Sequence, residues 1–310
     1  MDEFDRRLLN RLQHGLPLEP HPYALLAAEL DCREEDILRR LDDLLDDGTL
    51  TRFGPLFDIE PLGGAFTLAA MSVPEARFEE IAALLAGWPQ VAHNYRREHA
   101  LNMWLVVACD SPAEVAETLA RLERESGLAV LDLPKEATYH VGLHFPSDAL
   151  LARRLIELTQ AGLPLVADPW AWIAAQLRLS EAETLALLKR LRDAGVIRRI
   201  AAVPNHYRLG YRHNGMTVWD VADERIERLG RLVGGLSFVS HCYRRPRHLP
   251  QWRYNLFAMV HGRSEAEIEG YRQQIRLLLG EDCRADEMLV SSRILKKTGL
   301  RLAQKEERPC

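Results

Sequence analysis

The sequence has few of the features that mark secreted, membrane-spanning or metal-binding proteins. Its five cysteines are scattered and none stands in C-x-x-C spacing, so it predicts neither a disulfide framework nor a zinc site. No apolar run approaches the roughly 20 residues that span a bilayer, and the charged N-terminus lacks the apolar segment of a signal peptide. We therefore expect a reduced, cytoplasmic protein with no membrane-spanning part and no metal site.

Nucleotide-binding motifs are missing as well. The sequence contains no G-x-G-x-x-G stretch and no P-loop, so it gives no reason to expect an organic cofactor. The net charge of −5 argues against a protein that mainly coats nucleic acid. The 310 residues are enough for two or more globular domains.

What the sequence does contain is an internal repeat. The stretch "LQHGLPL" (12–18) matches "TQAGLPL" (159–165) at an offset of 147, and "HNYRR" (93–97) matches "HCYRR" (241–245) at 148. A repeat this long is not a solenoid unit. It indicates two copies of one complete unit, fused head to tail.

Each copy begins with three helical patterns and a short β-like stretch, which is the order of a winged helix-turn-helix. In the second copy Ser180 and Glu183 form an S-x-x-E capping box. The rest of each copy alternates as βαββαβ, the ferredoxin-like unit. We predict an α+β fold in which the two sheets pack face to face. The predicted domains are winged helices at 1–58 and 147–204 and ferredoxin-like domains at 59–146 and 205–310.

This architecture resembles the Lrp/AsnC regulators, which bind DNA with the first part and small molecules with the second. The resemblance implies a DNA-binding transcriptional regulator as one hypothesis. The charges argue against it, because residues 31–52 carry a net charge of −4 and residues 178–199 only +3. Neutralising phosphates supplies most of the affinity for DNA, so we favour helix-turn-helix modules kept as scaffold.

The repeated motif is more specific than the architecture. The stretches "HNYRREHALNMW" (93–104) and "HCYRRP" with "WRYNLF" (241–246 and 252–257) closely resemble those of siroheme decarboxylases. Both stand on one chain here, as in the fused form associated with heme d1 biosynthesis. The resemblance implies a carboxy-lyase that removes two acetate carboxyl groups from siroheme and forms 12,18-didecarboxysiroheme. It also implies related decarboxylase subunits of the same pathway as partners.

Side chains alternate between the faces of a strand, so a period of two sorts the motif. His93, Tyr95 and Arg97 share a face, joined by His99 if the strand continues that far. His241, Tyr243 and Arg245 share the equivalent face of the second copy. The candidate catalytic residues are His93, His99, His241, Tyr95 and Tyr243. The candidate substrate-binding residues are Arg96, Arg97, Arg244, Arg245, His248, Trp252, Asn102 and Asn255.

These residue types suit the substrate that the resemblance implies, a flat iron tetrapyrrole with eight carboxylates. A guanidinium binds a carboxylate bidentately, and histidine can supply a proton near neutral pH. Loss of carbon dioxide leaves a carbanion-like carbon, whose charge the macrocycle can accept. We therefore expect no organic cofactor, since the ring of the substrate is the electron sink.

Several alternatives stay open at the level of sequence. Either copy can hold the working site, and a histidine can ligate the substrate iron instead of donating a proton. Trp104, Trp252 and Tyr254 fit a core or pocket wall as well as a chemical role. A further set, near the last strand of each copy, fits a solvated face or carboxylate anchors: Lys135, Tyr139, His140, Arg293, Lys296 and Lys297.

Overall fold

The computed structural model describes residues 1–136, 149–205, 208 and 213–297. They divide into two compact units, and each unit combines matching parts of both copies. The first unit contains the helix-turn-helix parts and the second contains the ferredoxin-like parts. The predicted domain boundaries stay a prediction, and the one between 146 and 147 lies outside the described residues, as do Tyr139 and His140.

The first unit is built from six helices and two strands in its described residues. In the first copy these are α1 (Glu3–Gln13), α2 (Pro22–Leu30), α3 (Glu34–Asp46) and β1 (Leu50–Phe57). In the second copy they are α6 (Ala149–Thr159), α7 (Pro169–Leu177), α8 (Glu181–Asp193) and β6 (Ile197–Pro204). Helix α8 begins with the predicted capping box, since Ser180 and Glu183 each bind the other's backbone N–H.

The wing of each copy is completed by the other copy. Strand β1 pairs with β6 in antiparallel register, from Leu50 opposite Pro204 to Phe57 opposite Ile197. The two copies therefore share one two-stranded sheet, whereas the sequence predicted a separate wing for each. Strand β1 also contacts the segment between α6 and α7, where the N–H of Leu163 donates to the carbonyl of Phe53 at 2.8 Å. Gly54 permits that contact, because a Cβ added there would lie 2.8 Å from the backbone nitrogen of Leu163.

The second unit contains two βαββαβ sets. The first set consists of β2 (Ala65–Met71), α4 (Phe78–Ala86), β3 (Val91–Arg97), β4 (Met103–Cys109), α5 (Pro112–Ser126) and β5 (Val130–Pro134). The second consists of β7 (His213–Val221), α9 (Ile226–Gly234), β8 (Val239–Arg244), β9 (Leu256–Gly262), α10 (Glu265–Leu279) and β10 (Cys283–Lys297). Short 3₁₀ turns lie at Glu60–Leu62, Glu75–Arg77 and Gly280–Asp282.

All eight strands of the second unit form one antiparallel sheet in the order β5-β2-β4-β3-β10-β7-β9-β8. Each half has the strand order of a ferredoxin-like domain, and the halves join where β3 pairs with β10. Helices α4 and α5 pack on one face of the first half through an apolar core that includes Phe78, Ile81 and Leu119. Helices α9 and α10 cover the second half in the same way. The predicted α+β class is confirmed.

The opposite face of this sheet, called the inner face below, carries a third apolar core that both copies share. Its buried members include Trp104 and Leu133 from the first copy and Trp252, Phe257 and Leu289 from the second. The two copies therefore share a core on this face, but the prediction of two separate sheets is wrong, because β3 pairs with β10 and joins them into one sheet.

The sheet curls so that its two edge strands also meet. The backbone N–H of Glu136, just after β5, donates to the carbonyl of Arg244 on β8 at 3.1 Å. Two matched contacts mark the two junctions. Arg97 on β3 donates to the carbonyl of Leu289 on β10, and Arg245 after β8 donates to the carbonyl of Leu133 on β5. Within this unit the two halves therefore make equivalent contacts at the two junctions.

Among the described residues, no helix has both the length and the apolar character needed to cross a membrane. The cytoplasmic location stays a prediction.

Candidate active site

The first histidine-tyrosine-arginine triad lies on the inner face of β3. Tyr95 stands opposite Trp104 of the shared core, which fixes the face to which it belongs. The rings of His93 and Tyr95 are 6.1 Å apart, and the guanidinium of Arg97 lies 5.8 Å from the centre of the Tyr95 ring. The alternation predicted for these three residues is confirmed.

The second triad, on β8 and the residue after it, repeats this geometry. The rings of His241 and Tyr243 are also 6.1 Å apart. The guanidinium of Arg245 lies 5.2 Å from the centre of the Tyr243 ring and 5.6 Å from that of Phe257, a member of the shared core. The duplicated motif therefore places two equivalent sets of side chains on one continuous surface.

Both triad arginines are buried, with 5% of Arg97 and 6% of Arg245 exposed. Burial lowers the pKa of the Arg245 guanidinium to about 10, with Tyr243 and Asp132 opposing the shift, so the group stays cationic at neutral pH. Within the described part of the chain, no carboxylate forms an ion pair with Arg245, and its Nε has no hydrogen-bond partner. A buried charge is costly unless a partner compensates it, so this position favours an anionic ligand.

Asn102 and Asn255 hold equivalent places, and both side chains bind the backbone. The Asn102 amide accepts from the N–H of Val73 and donates to its carbonyl, each at 2.8 Å. The Asn255 amide makes the same pair with Val221 at 2.9 Å. The backbone carbonyls of the two asparagines accept from the N–H groups of Arg97 and Arg245. The asparagines therefore position the triad arginines, and their predicted contact with substrate stays a prediction.

Replacing Asn255 by alanine is expected to destabilise the protein. The side chain is 2% exposed, so its loss leaves the N–H of Val221 without its partner and removes one of the two donors to the Val221 carbonyl, which Arg247 also binds. We expect the free energy of unfolding to fall by about 1–3 kcal/mol, as measured by denaturant titration. Asn10→Ala, at an exposed position on α1, is the control and should change it by about 0.5 kcal/mol or less. Equal effects of the two substitutions would contradict this role.

Arg96 and Arg244 are not brought together with the triads. Arg96 stacks on Phe78 of α4, 4.5 Å from the ring centre, and forms a bidentate pair with Glu75. Arg244 pairs with Glu136 at 2.9 Å and with Glu227 of α9 at 3.5 Å. Both arginines lie on the helix-covered face and not on the inner face with the triads. Their role in substrate binding stays a prediction.

His99 does not extend the alternation of β3, because the strand ends at Arg97. Its Nδ1 accepts from the N–H of Leu101 at 2.9 Å, and its Nε2 lies 3.7 Å from a carboxylate oxygen of Glu287 on β10. Its ring meets Trp252 edge-on, with the ring centres 5.8 Å apart. His99 therefore sits at the contact between the two copies, beside the triads and not in line with them.

The longer loop of the second copy inserts Trp252 into the shared core. His248 and Trp252 form a bridge with two backbone hydrogen bonds, and the His248 ring donates from Nε2 to the carbonyl of Asp132 at 2.6 Å. Trp252 is 1% exposed and meets Trp104 edge-on at 5.3 Å. Trp104 and Trp252 are therefore core residues. The hydrogen bond of His248 connects the loop to the first copy.

A charged network holds the base of this loop. Arg247 donates to Asp220 at 2.9 Å, and Arg253 donates to the other oxygen of the same carboxylate at 2.9 Å. Burial raises the pKa of Asp220, but the bonds from the two arginines outweigh it and keep the pKa below its ordinary value. No role could be assigned to Arg247 and Arg253 from the sequence, because their partner Asp220 lies on β7, in a distant part of the chain.

Charged residues near the last strands fall on different faces. Arg293 pairs with Glu79 of α4, and Lys296 donates to the carbonyl of Trp88 at 2.6 Å, so both belong to the helix-covered side. Lys135 lies 3.9 Å from the centre of the Phe66 ring and 5.8 Å from that of Tyr243. Lys135 therefore lies beside the second triad. The side chain of Lys297 is outside the described residues.

A cavity of about 380 Å³ lies on the helix-covered side, between α9 and β8. Its lining includes Cys242 and Arg244. Burial raises the pKa of the Cys242 thiol to about 12, so the thiol stays protonated and is a poor nucleophile. Tyr243 of the second triad also borders it, but the rest of the lining comes from α9 and from the helix-covered side of β8 and β9, so we do not assign this cavity to the candidate site.

Comparisons with known proteins agree with this geometry. The AsnC-like ligand binding domain matches residues 62–140 and 208–296, and the siroheme decarboxylase NirDL-like HTH domain matches 5–50 and 152–198. The siroheme decarboxylase NirDL subunit of Paracoccus denitrificans (strain Pd 1222) is 35% identical, with 98% of each chain covered. The chain belongs to the siroheme decarboxylase family.

Other members of the family are closer in sequence or known in structure. The siroheme decarboxylase NirH subunit of Stutzerimonas stutzeri is 72% identical over 51% of this chain and 94% of its own length. The crystal structure of the siroheme decarboxylase NirDL in co-complex with an iron-uroporphyrin III analogue has a TM-score of 0.75 and 31% identity. It covers 96% of this chain and 94% of that one. The full-length matches do not favour the regulator hypothesis.

Proposed function

We propose that this protein is a siroheme decarboxylase, a carboxy-lyase that forms 12,18-didecarboxysiroheme in heme d1 biosynthesis. The observation that carries the proposal is the buried Arg245 cation, which lacks a carboxylate partner in the described chain and borders a surface with histidine and tyrosine. A polyanionic, flat tetrapyrrole supplies the missing charge. Membership of the family supports the same substrate.

In this proposal Arg97 and Arg245 bind carboxylates of the substrate. A guanidinium that is already fixed by a backbone carbonyl loses little freedom on binding, so its remaining N–H groups are preorganised. The apolar core beneath the triads, which includes Trp104 and Phe257, supports the triad side chains that contact the macrocycle.

The triad histidines supply the proton that the reaction needs. Breaking the bond to the carboxyl carbon releases carbon dioxide and leaves the electron pair on the acetate carbon. The macrocycle delocalises that charge until a proton converts the carbon to a methyl group. Tyr95 and Tyr243 lie between histidine and arginine in their triads and orient both. The reaction consumes one proton for each carbon dioxide and needs no external electron acceptor, so we propose no organic cofactor.

We propose that related decarboxylase subunits of the same pathway are the protein partners, and that DNA is not a partner. Acidic residues at exposed positions of α3 such as Glu35, Asp42, Asp43 and Asp46 would oppose phosphates.

Anaerobic incubation of the purified protein with siroheme, followed by mass analysis of the tetrapyrrole, tests the proposed activity. Loss of two carbon dioxide units per siroheme is the expected result. Unchanged siroheme together with tight, salt-dependent binding to DNA would instead establish the regulator hypothesis.

Replacing Arg245 by glutamine is expected to weaken siroheme binding. Loss of a charged hydrogen bond costs about 1.5–3 kcal/mol, which corresponds to about a 10- to 150-fold increase in Kd. Titration of the iron tetrapyrrole absorption measures this. Arg284→Gln, at an exposed position of β10, is the control and should keep the Kd of the unmodified protein. An Arg245 variant with unchanged Kd would remove this guanidinium from the site.

A further inference from the structure

The second triad continues into a line of hydrogen bonds. The Nδ1 of His241 lies 3.0 Å from the Oγ of Ser240, and the same Oγ lies 2.9 Å from the Nε2 of His261 on β9. Both are hydrogen-bond distances. A serine hydroxyl can accept from one histidine while it donates to the other, so the three side chains form a connected path.

A β-bulge makes this line possible. Val239 stands opposite Val260, but His241 stands opposite Met259, so Ser240 is the extra residue on β8. A bulge of this kind disrupts the regular alternation of side chains. Ser240 can thereby reach both the residue that follows it and a residue of the neighbouring strand.

The first copy has the same bulge without the same chemistry. Val91 stands opposite Val107, and His93 opposite Val106, so Ala92 occupies the position of Ser240. Counting from the paired asparagines, Ala108 occupies the position of His261. Neither alanine side chain can donate or accept a proton. The line is therefore a property of the second copy alone, although duplication gave both copies the triad.

Cations near the two triads differ as well. Leu133 and Leu289 are equivalent, since each accepts from a triad arginine. Two residues further along, the first copy has Lys135, which reaches the second triad, and the second copy has Ser291. The second triad thus has an additional cation at the position where the first has a hydroxyl, which favours a polyanionic ligand there.

We propose that the second triad is the working site, and that Ser240 and His261 deliver to His241 the protons that the decarboxylated carbons receive. This inference rests on the proposed function and assigns the reaction to one of two equivalent places. Ser240 and His261 are positioning and relay residues, and His241 is the group that meets the substrate.

Each proton moves along the relay while one carbon–carbon bond of the substrate breaks. The bond between the acetate carbon and its carboxyl carbon breaks, carbon dioxide leaves, and the electron pair stays on the acetate carbon. That carbon takes the proton from Nε2 of neutral His241, while Nδ1 takes the hydroxyl proton of Ser240. Ser240 in turn takes the Nε2 proton of protonated His261, and solvent restores that proton. Exchange with solvent at the exposed His241 moves its proton from Nδ1 back to Nε2 before the next transfer. One proton is consumed for each carbon dioxide, and no electrons enter or leave the system.

Three single substitutions, Ser240→Ala, Ser240→Thr and His261→Ala, test the relay. The measured quantities are anaerobic turnover of siroheme and Kd from the absorption titration. We expect Ser240→Ala and His261→Ala to lower kcat by about 10²-fold, the low end for loss of a general acid, with Kd unchanged. Ser240→Thr keeps the hydroxyl and should keep most of the turnover, an outcome that a purely structural role for the side chain would not require.

His213→Ala is the matched control, since His213 begins the strand that pairs with β9 and belongs to neither triad. It should keep the kcat of the unmodified protein. A comparison of the triads completes the set, because the proposal expects His241→Ala to lose much more turnover than His93→Ala.

A wild-type-like kcat in both Ser240→Ala and His261→Ala would overturn the relay. The relay would also be overturned if the lower turnover of these variants came entirely from weaker siroheme binding. A greater loss in His93→Ala than in His241→Ala would move the working site to the first copy. The unmodified protein is assayed alongside. If it releases no carbon dioxide from siroheme, both the proposed function and the relay are refuted. If it is active and the relay variants keep full turnover, only the relay is refuted.

Discussion

Replacing His241 by alanine is expected to lower the turnover of siroheme by about 10²- to 10⁴-fold, the usual loss when a general acid is removed. The Kd for siroheme should change little, because the carboxylates are held by arginine and lysine and not by this imidazole. The physical reason is that the carbanion-like carbon must be protonated, and solvent water replaces an aligned imidazole poorly. Single-turnover kinetics and absorption titration on the same preparation separate the two quantities.

His14→Ala is the control for this experiment, since His14 is exposed at the end of α1. Full turnover in each of the three variants His93→Ala, His99→Ala and His241→Ala, with siroheme still bound, would show that the proton donor lies elsewhere. The active site would then not lie on these strands, and His248 would be the next residue to replace.

Replacing Trp252 by alanine is expected to lower the free energy of unfolding by about 3–5 kcal/mol. The indole is 1% exposed and packs against Trp104, Tyr254 and Phe257, with ring centres 5.0 to 5.8 Å apart. Its removal leaves a large cavity in the core that both copies share, where surrounding strands cannot relax to fill it. Denaturant unfolding followed by circular dichroism measures the change.

Leu277→Ala provides the comparison, because Leu277 is 82% exposed and its truncation should change stability by about 0.5 kcal/mol or less. A loss below about 1 kcal/mol in Trp252→Ala would show that the loop of the second copy does not hold the two halves together.

Most of the correct predictions came from two features of the sequence, the internal repeat and the alternation of side chains along each strand. They predicted the two βαββαβ sets and the faces of His93, Tyr95 and Arg97, because both depend on local spacing. The family followed from the motif. The pairing of β3 with β10 and the sharing of one wing sheet by both copies depend on contacts between distant segments, which spacing does not encode.

Side-chain contacts between distant segments also determine which polar residues belong to the site. The sequence grouped Arg96 with Arg97, but only the fold shows Glu75 and Phe78 beside Arg96. His261 could have been noticed, since Phe257, Met259 and His261 alternate along one strand. Its connection to His241 could not, because it depends on the bulge at Ser240. Asn102 and Asn255 belong to the motif, but their side chains bind backbone groups of neighbouring strands.

The most direct test of the central claim is a crystal structure of this protein with an iron tetrapyrrole carboxylate such as iron-uroporphyrin III. We predict that the macrocycle lies on the inner face of the eight-stranded sheet, against His241 and Tyr243, with Arg245 and Lys135 on its carboxylates. A macrocycle bound in the cavity between α9 and β8, or in the helix-turn-helix unit, would contradict the account.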